Sequence, residues 1–114
     1  MWYLNLLAAC FTLVQPPRPA APPPRELCRL SGTVYVEQVR AFATYKVYVQ
    51  DLEAFADLVV FREEMEGMAV EPGHWYLTDQ RAFADFTIFI EEAETFADFT
   101  VAYTPFSSAA GCRR

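Results

Sequence analysis

From Leu30 onward the chain keeps returning to one short phrase. Aligned on the small residue of each FAD-like unit, the positions are Ala43, Ala56, Ala69, Ala84, Ala97 and Ala110, at steps of 13, 13, 15, 13 and 13 residues, and one more step back reaches Leu30. Seven units thus cover almost everything from Leu30 to the C-terminus. Phe42, Phe55, Met68, Phe83 or Phe96 precedes the small residue. Tyr45, Leu58, Phe86 or Phe99 follows it by two residues, and Val34, Val47, Val60, Ile88 or Val101 by four. A helix cannot use this period, because thirteen residues at about 100° each leave the apolar stripe about 220° out of phase from unit to unit.

A pleated strand can. Ala84, Phe86, Ile88 and Ile90 share one side of a unit while Asp85, Thr87 and Phe89 share the other, an alternation rich in β-branched and aromatic residues. The charged intervals "QDLEA", "REEMEG" and "EEAET" read as turns. In antiparallel hairpins, positions thirteen apart keep their side when each loop holds an even number of residues, and the 15-residue step around Pro72-Gly73 adds two, so it reads as a wider turn in unchanged register. The expected fold is all-β: an antiparallel meander of six to seven strands, curled or closed as a small barrel. The alternative is a narrow parallel β-solenoid with one repeat per coil. The meander is preferred because stacked coils would set Asp57, Asp85 and Asp98 into like-charge ladders at about 4.8 Å, and a thirteen-residue coil encloses little room for Phe and Leu.

The units "FADLVVF", "FADFTIF" and "FADFTVA", with "FATYKVY" lacking its Asp and "MAVEPGHWY" as an aromatic interruption, carry a resemblance. The array over residues 30–112 resembles an uncharacterised bacterial family of short proteins built from tandem A-D-hydrophobic-x-V-Y units. The resemblance implies an architecture and no activity.

The N-terminus is different material. "MWYLNLLAACFTLV" is apolar apart from Asn5 and Thr12, too short to span a bilayer as a helix but of the length of a secretory h-region. "QPPRPAAPPPR" follows and reads as an extended polyproline spacer. The expected organisation is a signal-like segment at 1–15, a spacer at 16–27 and an all-β domain at 28–114. Leu7-Ala8-Ala9-Cys10 resembles a lipobox, which makes Cys10 a lipidation candidate and leaves a lipid anchor as the one route to a membrane. No Lys or Arg precedes the apolar run, and the residues after Cys10 stay apolar, which favours ordinary export to a periplasmic or extracellular location.

Between Leu30 and Ala110 only Arg40, Lys46, Arg62 and Arg81 are basic, against fourteen Asp and Glu, a balance of −10. That field argues against a nucleic-acid partner. Cys28 before the first unit and Cys112 in the last are a disulfide candidate, able to bond only if the two ends of the array meet; closing that loop is worth about 4 kcal/mol in the entropic treatment. His74 is the only histidine. As a general base it would need Asp79 or Glu71 to orient it, and no nucleophile signature accompanies it. His74, Trp75 and Tyr76 together form a candidate binding patch at the wide turn. One histidine and no Cys pair at ligand spacing give no ground for a transition-metal site, the clusters Glu63-Glu64-Glu66 and Glu91-Glu92-Glu94 read as solvated turns, and the letters FAD come without a dinucleotide fingerprint, so no cofactor is expected.

With 10 Phe and 6 Tyr, the outward strand face, including Tyr35, Tyr48, Phe61, Tyr76 and Phe89, is too apolar to be merely solvated. The expected function is an exported, non-catalytic binding or structural module of the cell envelope, presenting an aromatic and acidic β surface to a protein or glycan partner. The alternatives are a small enzyme using His74 with nearby carboxylates, and a structural protein that self-assembles into homo-oligomers through strand edges.

Overall fold

The computed structural model describes residues 24–112, so the N-terminal apolar segment, Cys10 and most of the proline stretch lie outside the described residues. A short helix, α1 (Pro24–Cys28), comes first. It occupies the end of the stretch expected to be extended, since a proline in the first helical turn gives up no hydrogen bond. Six strands follow: β1 (Gly32–Val36), β2 (Tyr45–Val49), β3 (Leu58–Arg62), β4 (His74–Thr78), β5 (Phe86–Ile90) and β6 (Phe99–Thr104).

The strands close into a barrel in the order β1-β4-β3-β6-β2-β5, and every neighbouring pair is parallel. The all-β class and the closed barrel stand; the antiparallel meander does not. The parity of a thirteen-residue step is satisfied equally by a hairpin and by a full return along the outside. A five-residue strand advances about 16 Å, and seven or eight extended residues can run back over that distance. The short 3₁₀ turns Arg40–Phe42, Glu53–Phe55, Arg81–Phe83, Glu94–Phe96 and Ser107–Ala109 belong to these outer segments.

Each return skips one strand. From β1 to β2 the chain passes over β5, from β2 to β3 over β6, from β4 to β5 over β1, and from β5 to β6 over β2, always in one rotational sense. Only β3 and β4 are direct neighbours, paired over just two residues. Into the space beside them comes the C-terminal segment, with Val59 and Gly111 exchanging both backbone hydrogen bonds at 2.9 and 2.8 Å. Counting that segment as a seventh position makes every step identical, two places in seven. The chain therefore circles the axis twice, with six parallel strands and the single antiparallel bridge at Gly111 in the seventh place, its second lap laid between the strands of the first. Joining the ends of such a path gives the seven-crossing torus knot, a rare exception to the rule that chains do not thread.

Interlacing also removes the charge objection to parallel strands. Val34 faces Phe86, Tyr45 faces Ile88, Val47 faces Phe99 and Leu58 faces Val101. In these four pairs the residue four beyond the small residue of one unit meets the residue two beyond it in the next strand. The slip is even, so inward side chains stay inward. It also moves the aspartates away from one another: Asp85 accepts from the Thr33 N–H at 2.8 Å, Asp98 from Lys46 at 2.8 Å and Asp57 from Thr100 at 3.0 Å. Where the Asp is missing, the Thr44 hydroxyl accepts from the Thr87 N–H at 3.2 Å. The Asp of "FAD" is a clamp that extends the ladder beyond the strand start and fixes the register.

Val34, Val47, Leu58, Val60, Trp75, Phe86, Ile88, Phe99 and Val101 fill the barrel. This shared interior, rather than the inside of any one coil, provides the room that Phe and Leu need. Edge-on ring contacts, Trp75–Phe86 at 5.5 Å and Tyr45–Phe99 at 5.5 Å, hold it without stacking. Gly73 opens β4 with φ +81°, and a Cβ there would lie 2.4 Å from the Gly111 backbone nitrogen and 2.8 Å from the Val59 carbonyl. Gly73→Ala is expected to cost about 2–4 kcal/mol, from a left-handed backbone and from prising out the terminal segment. A chemical-denaturation midpoint equal to that of the parent would contradict this packing.

Candidate functional site

Three carboxylates lie seven residues beyond the small residue of their units: Glu37, Glu63 and Glu91. Each backbone N–H continues the sheet, donating at 2.7 Å to Ile88, Trp75 and Val47 respectively. Their side chains are turned under the outer layer. Glu37 is buried and bonded to Arg81 at 2.6 Å, Glu91 is buried and paired with Arg40, and Glu63 accepts from Nδ1 of His74 at 2.6 Å. Arg40 and Arg81 occupy the same place in two "RAFA" phrases, so each arginine reaches across to the other's lap. Their half-exposed guanidinium groups make these pairs less costly to bury than fully desolvated ones. Arg81 also lies over the rings of Tyr35 and Phe42, at 5.8 and 5.5 Å.

Glu63 and Glu91 are thus not solvated turn residues. The signal was available in their position: each directly follows a strand, where the backbone is still pinned to the sheet. Their neighbours Glu64, Glu66, Glu92 and Glu94 are exposed as expected.

His74, Trp75 and Tyr76 form the first half of β4, and their side chains part company. Trp75 is completely buried, its indole N–H donating to the Leu30 carbonyl at 3.1 Å. This corrects its expected place on a surface patch; the two extra residues of the wide turn carry it to the inward strand position that Val or Ile holds elsewhere. His74 is buried against Phe61, with ring centres 5.3 Å apart. Its carboxylate partner is Glu63 rather than Asp79 or Glu71, although its backbone N–H donates to the Glu71 carbonyl at 2.9 Å. Tyr76 is half-buried on the outer face, as are Tyr35, Tyr48, Phe61 and Phe89, because the returning segments cover that face. Burial also pushes the Tyr103 phenol above its ordinary value of 10, with Arg62 pulling it partly back.

Apart from Ile90 at the end of β5, the large apolar residues that remain exposed are on the returns. Val39 and Phe42, Leu52 and Phe55, and Met65 and Met68 are pairs three residues apart, and all six are exposed; Phe83, Phe96 and Phe106 belong to the same series. In a 3₁₀ turn, side chains three apart eclipse, so Val39 with Phe42 and Leu52 with Phe55 each make one apolar ridge facing outward. The turns adjoin around the barrel: Arg81 lies over Phe42, Arg40 donates to the Phe96 carbonyl at 3.5 Å, and Gln50 bonds Glu94 at 3.1 Å. The domain therefore wears an apolar belt over its acidic body. The sequence held this signal too, in the apolar pairs Val39/Phe42, Leu52/Phe55 and Met65/Met68, each three residues apart.

Beside β3, Phe61, Glu63, Glu64, Met65 and Met68 line an open cleft of about 340 Å³. A bond joins Cys28 and Cys112, whose Cα atoms are 5.0 Å apart, as the meeting of the array's ends requires.

A parallel barrel of two interlaced laps, with its ends bonded and its inward carboxylates hydrogen-bonded, defines a knotted all-β domain. The chain belongs to the 7(1) septoil knot domain family, whose sequence model it matches over residues 27–113. Comparison with curated proteins and with solved structures gives no match.

Proposed function

We propose that this domain is an exported, non-catalytic binding or structural module of a bacterial cell envelope, acting through the surface it presents. One observation carries the reading: the exposed Phe42, Phe55, Phe83 and Phe96 all end 3₁₀ turns on the returns between interlaced strands. Exposing four aromatic rings in water forgoes about 1.5–3 kcal/mol for each, a cost that a partner covering them would remove. The acidic balance of the domain favours a polypeptide or glycan partner over phosphate backbones. Barrel closure leaves no unpaired strand edge among the described residues, so any self-association would run through side chains. The N-terminal segment and the disulfide support export, because such a bond persists in oxidising compartments.

Replacing all four phenylalanines with Ser is expected to leave the circular dichroism spectrum unchanged while abolishing photo-crosslinks from these turns to envelope components. Crosslinks that survive the change would defeat the reading. Export is checked on protein recovered from the native host: no titratable thiol from Cys28 or Cys112 before reductant, and two after it.

A further inference from the structure

The connection from β3 to β4 departs from the others. It runs through residues 63–73, contains none of the 3₁₀ turns, and carries Met65 and Met68 where other returns place Val, Leu or Phe. From Glu63 to Glu71 it holds four Glu and no Lys or Arg. Met65, Met68 and Val70 are 67, 55 and 74% exposed. Two thioethers and the Phe61 ring thus form the apolar wall of the cleft, and Glu63 and Glu64 its acidic rim. Of the side chains beside it, His74 is engaged by Glu63, and the Arg62 guanidinium is turned over the Tyr103 ring at 5.8 Å. Glu64, Glu66 and Glu71 make no ion pair among the described residues.

We infer that this methionine-lined acidic cleft docks a basic polypeptide segment bearing apolar side chains. The inference rests on the surface-presenting reading above and names the partner's chemistry. Unbranched thioethers adapt their shape to whichever apolar side chain enters. The carboxylates attract Lys and Arg and discriminate against acidic segments. A second copy of the chain would bring four more carboxylates against these, and a phosphate-bearing partner would be repelled.

The test titrates the domain into three fluorescein-labelled peptides of equal length at about 0.1 M salt, where the Debye length is about 10 Å. One has Leu on one helical face and Lys on the other, the second has Glu for Lys, and the third has Ser for Leu. The Leu/Lys peptide is expected to bind in the micromolar range, the Leu/Glu peptide not at all, and the Ser/Lys peptide about tenfold more weakly. Met65→Ser with Met68→Ser lowers Leu/Lys affinity about tenfold, and Glu64→Gln with Glu66→Gln lowers it and flattens its salt dependence. All these side chains are exposed, so the melting temperature holds in both variants and folding does not confound the result.

Absence of Leu/Lys binding, or binding indifferent to both variants, overturns the inference. Loss of binding on Phe42→Ser with Phe83→Ser, with the methionine variant unaffected, also overturns it while leaving the surface reading intact. The surface reading itself fails on the separate crosslinking result. A mass that rises with concentration and is abolished by the methionine changes would assign the cleft to a second copy instead, and so overturn the basic partner.

Discussion

Unfolded in guanidinium with Cys28 and Cys112 still bonded, the domain is expected to refold about 100-fold or more faster than after prolonged unfolding in reductant. The bond spans 84 residues and closes the covalent circuit around both laps. A knot in a closed circuit survives any motion that breaks no bond. The oxidised chain, however unfolded, therefore keeps its interlacing and needs only to tighten it. Once reduced and relaxed, the chain can slip free at its ends and must thread the second lap between the strands of the first. Every strand pairing in the barrel except the two-residue contact of β3 with β4 is between strands distant in sequence, so that search is slow and exposed to aggregation. At equilibrium the same change removes about 4 kcal/mol through loop entropy. Stopped-flow refolding of oxidised and reduced protein checks both statements. Equal refolding rates would mean that the circuit is unknotted or that the reduced chain never untied.

The second large effect is at Trp75. Trp75→Ala is expected to destabilise the domain by about 3–5 kcal/mol, because it empties the largest fully buried side chain of the barrel and leaves the Leu30 carbonyl without its indole donor. The contact with Phe86 ties the two laps together, so the loss falls on the interlacing itself. Trp75→Phe keeps much of the volume and is expected to recover more than half of the loss. Equilibrium denaturation followed by far-ultraviolet dichroism measures both, and an alanine variant within about 1 kcal/mol of the parent would place the indole outside the core.

The distinction between side chains that fill the barrel and those that cover it was legible from spacing alone. Val34, Val47, Val60, Ile88 and Val101 share one place in their units, and the alternation around them is that of a half-buried strand. The meeting of Cys28 with Cys112 was legible as a condition: it required the ends of the array to close, and they do. The place of Trp75 in its unit matches that of Val and Ile and so points inward, while its nearness to Pro72-Gly73 also allows a surface patch; its burial settles the choice. Glu63 and Glu91 were misread because runs of acidic residues look solvated as runs, while burial is decided one position at a time.

Strand direction could not be obtained in this way. Parity is blind to whether the chain turns back in a hairpin or travels the full length of the barrel outside, and the aspartates favoured the hairpin only while identical units were imagined as stacking on one another. Extended segments, their inward and outward sides, the acidic surface and the period all follow from the local order of residues. That the strands are parallel and interlaced follows instead from contacts across the fold, since Asp85 clamping Thr33 and Asp98 clamping Lys46 join laps more than fifty residues apart. A local pattern fixes which face a residue shows, whereas its neighbour across the sheet depends on where the whole chain has already passed.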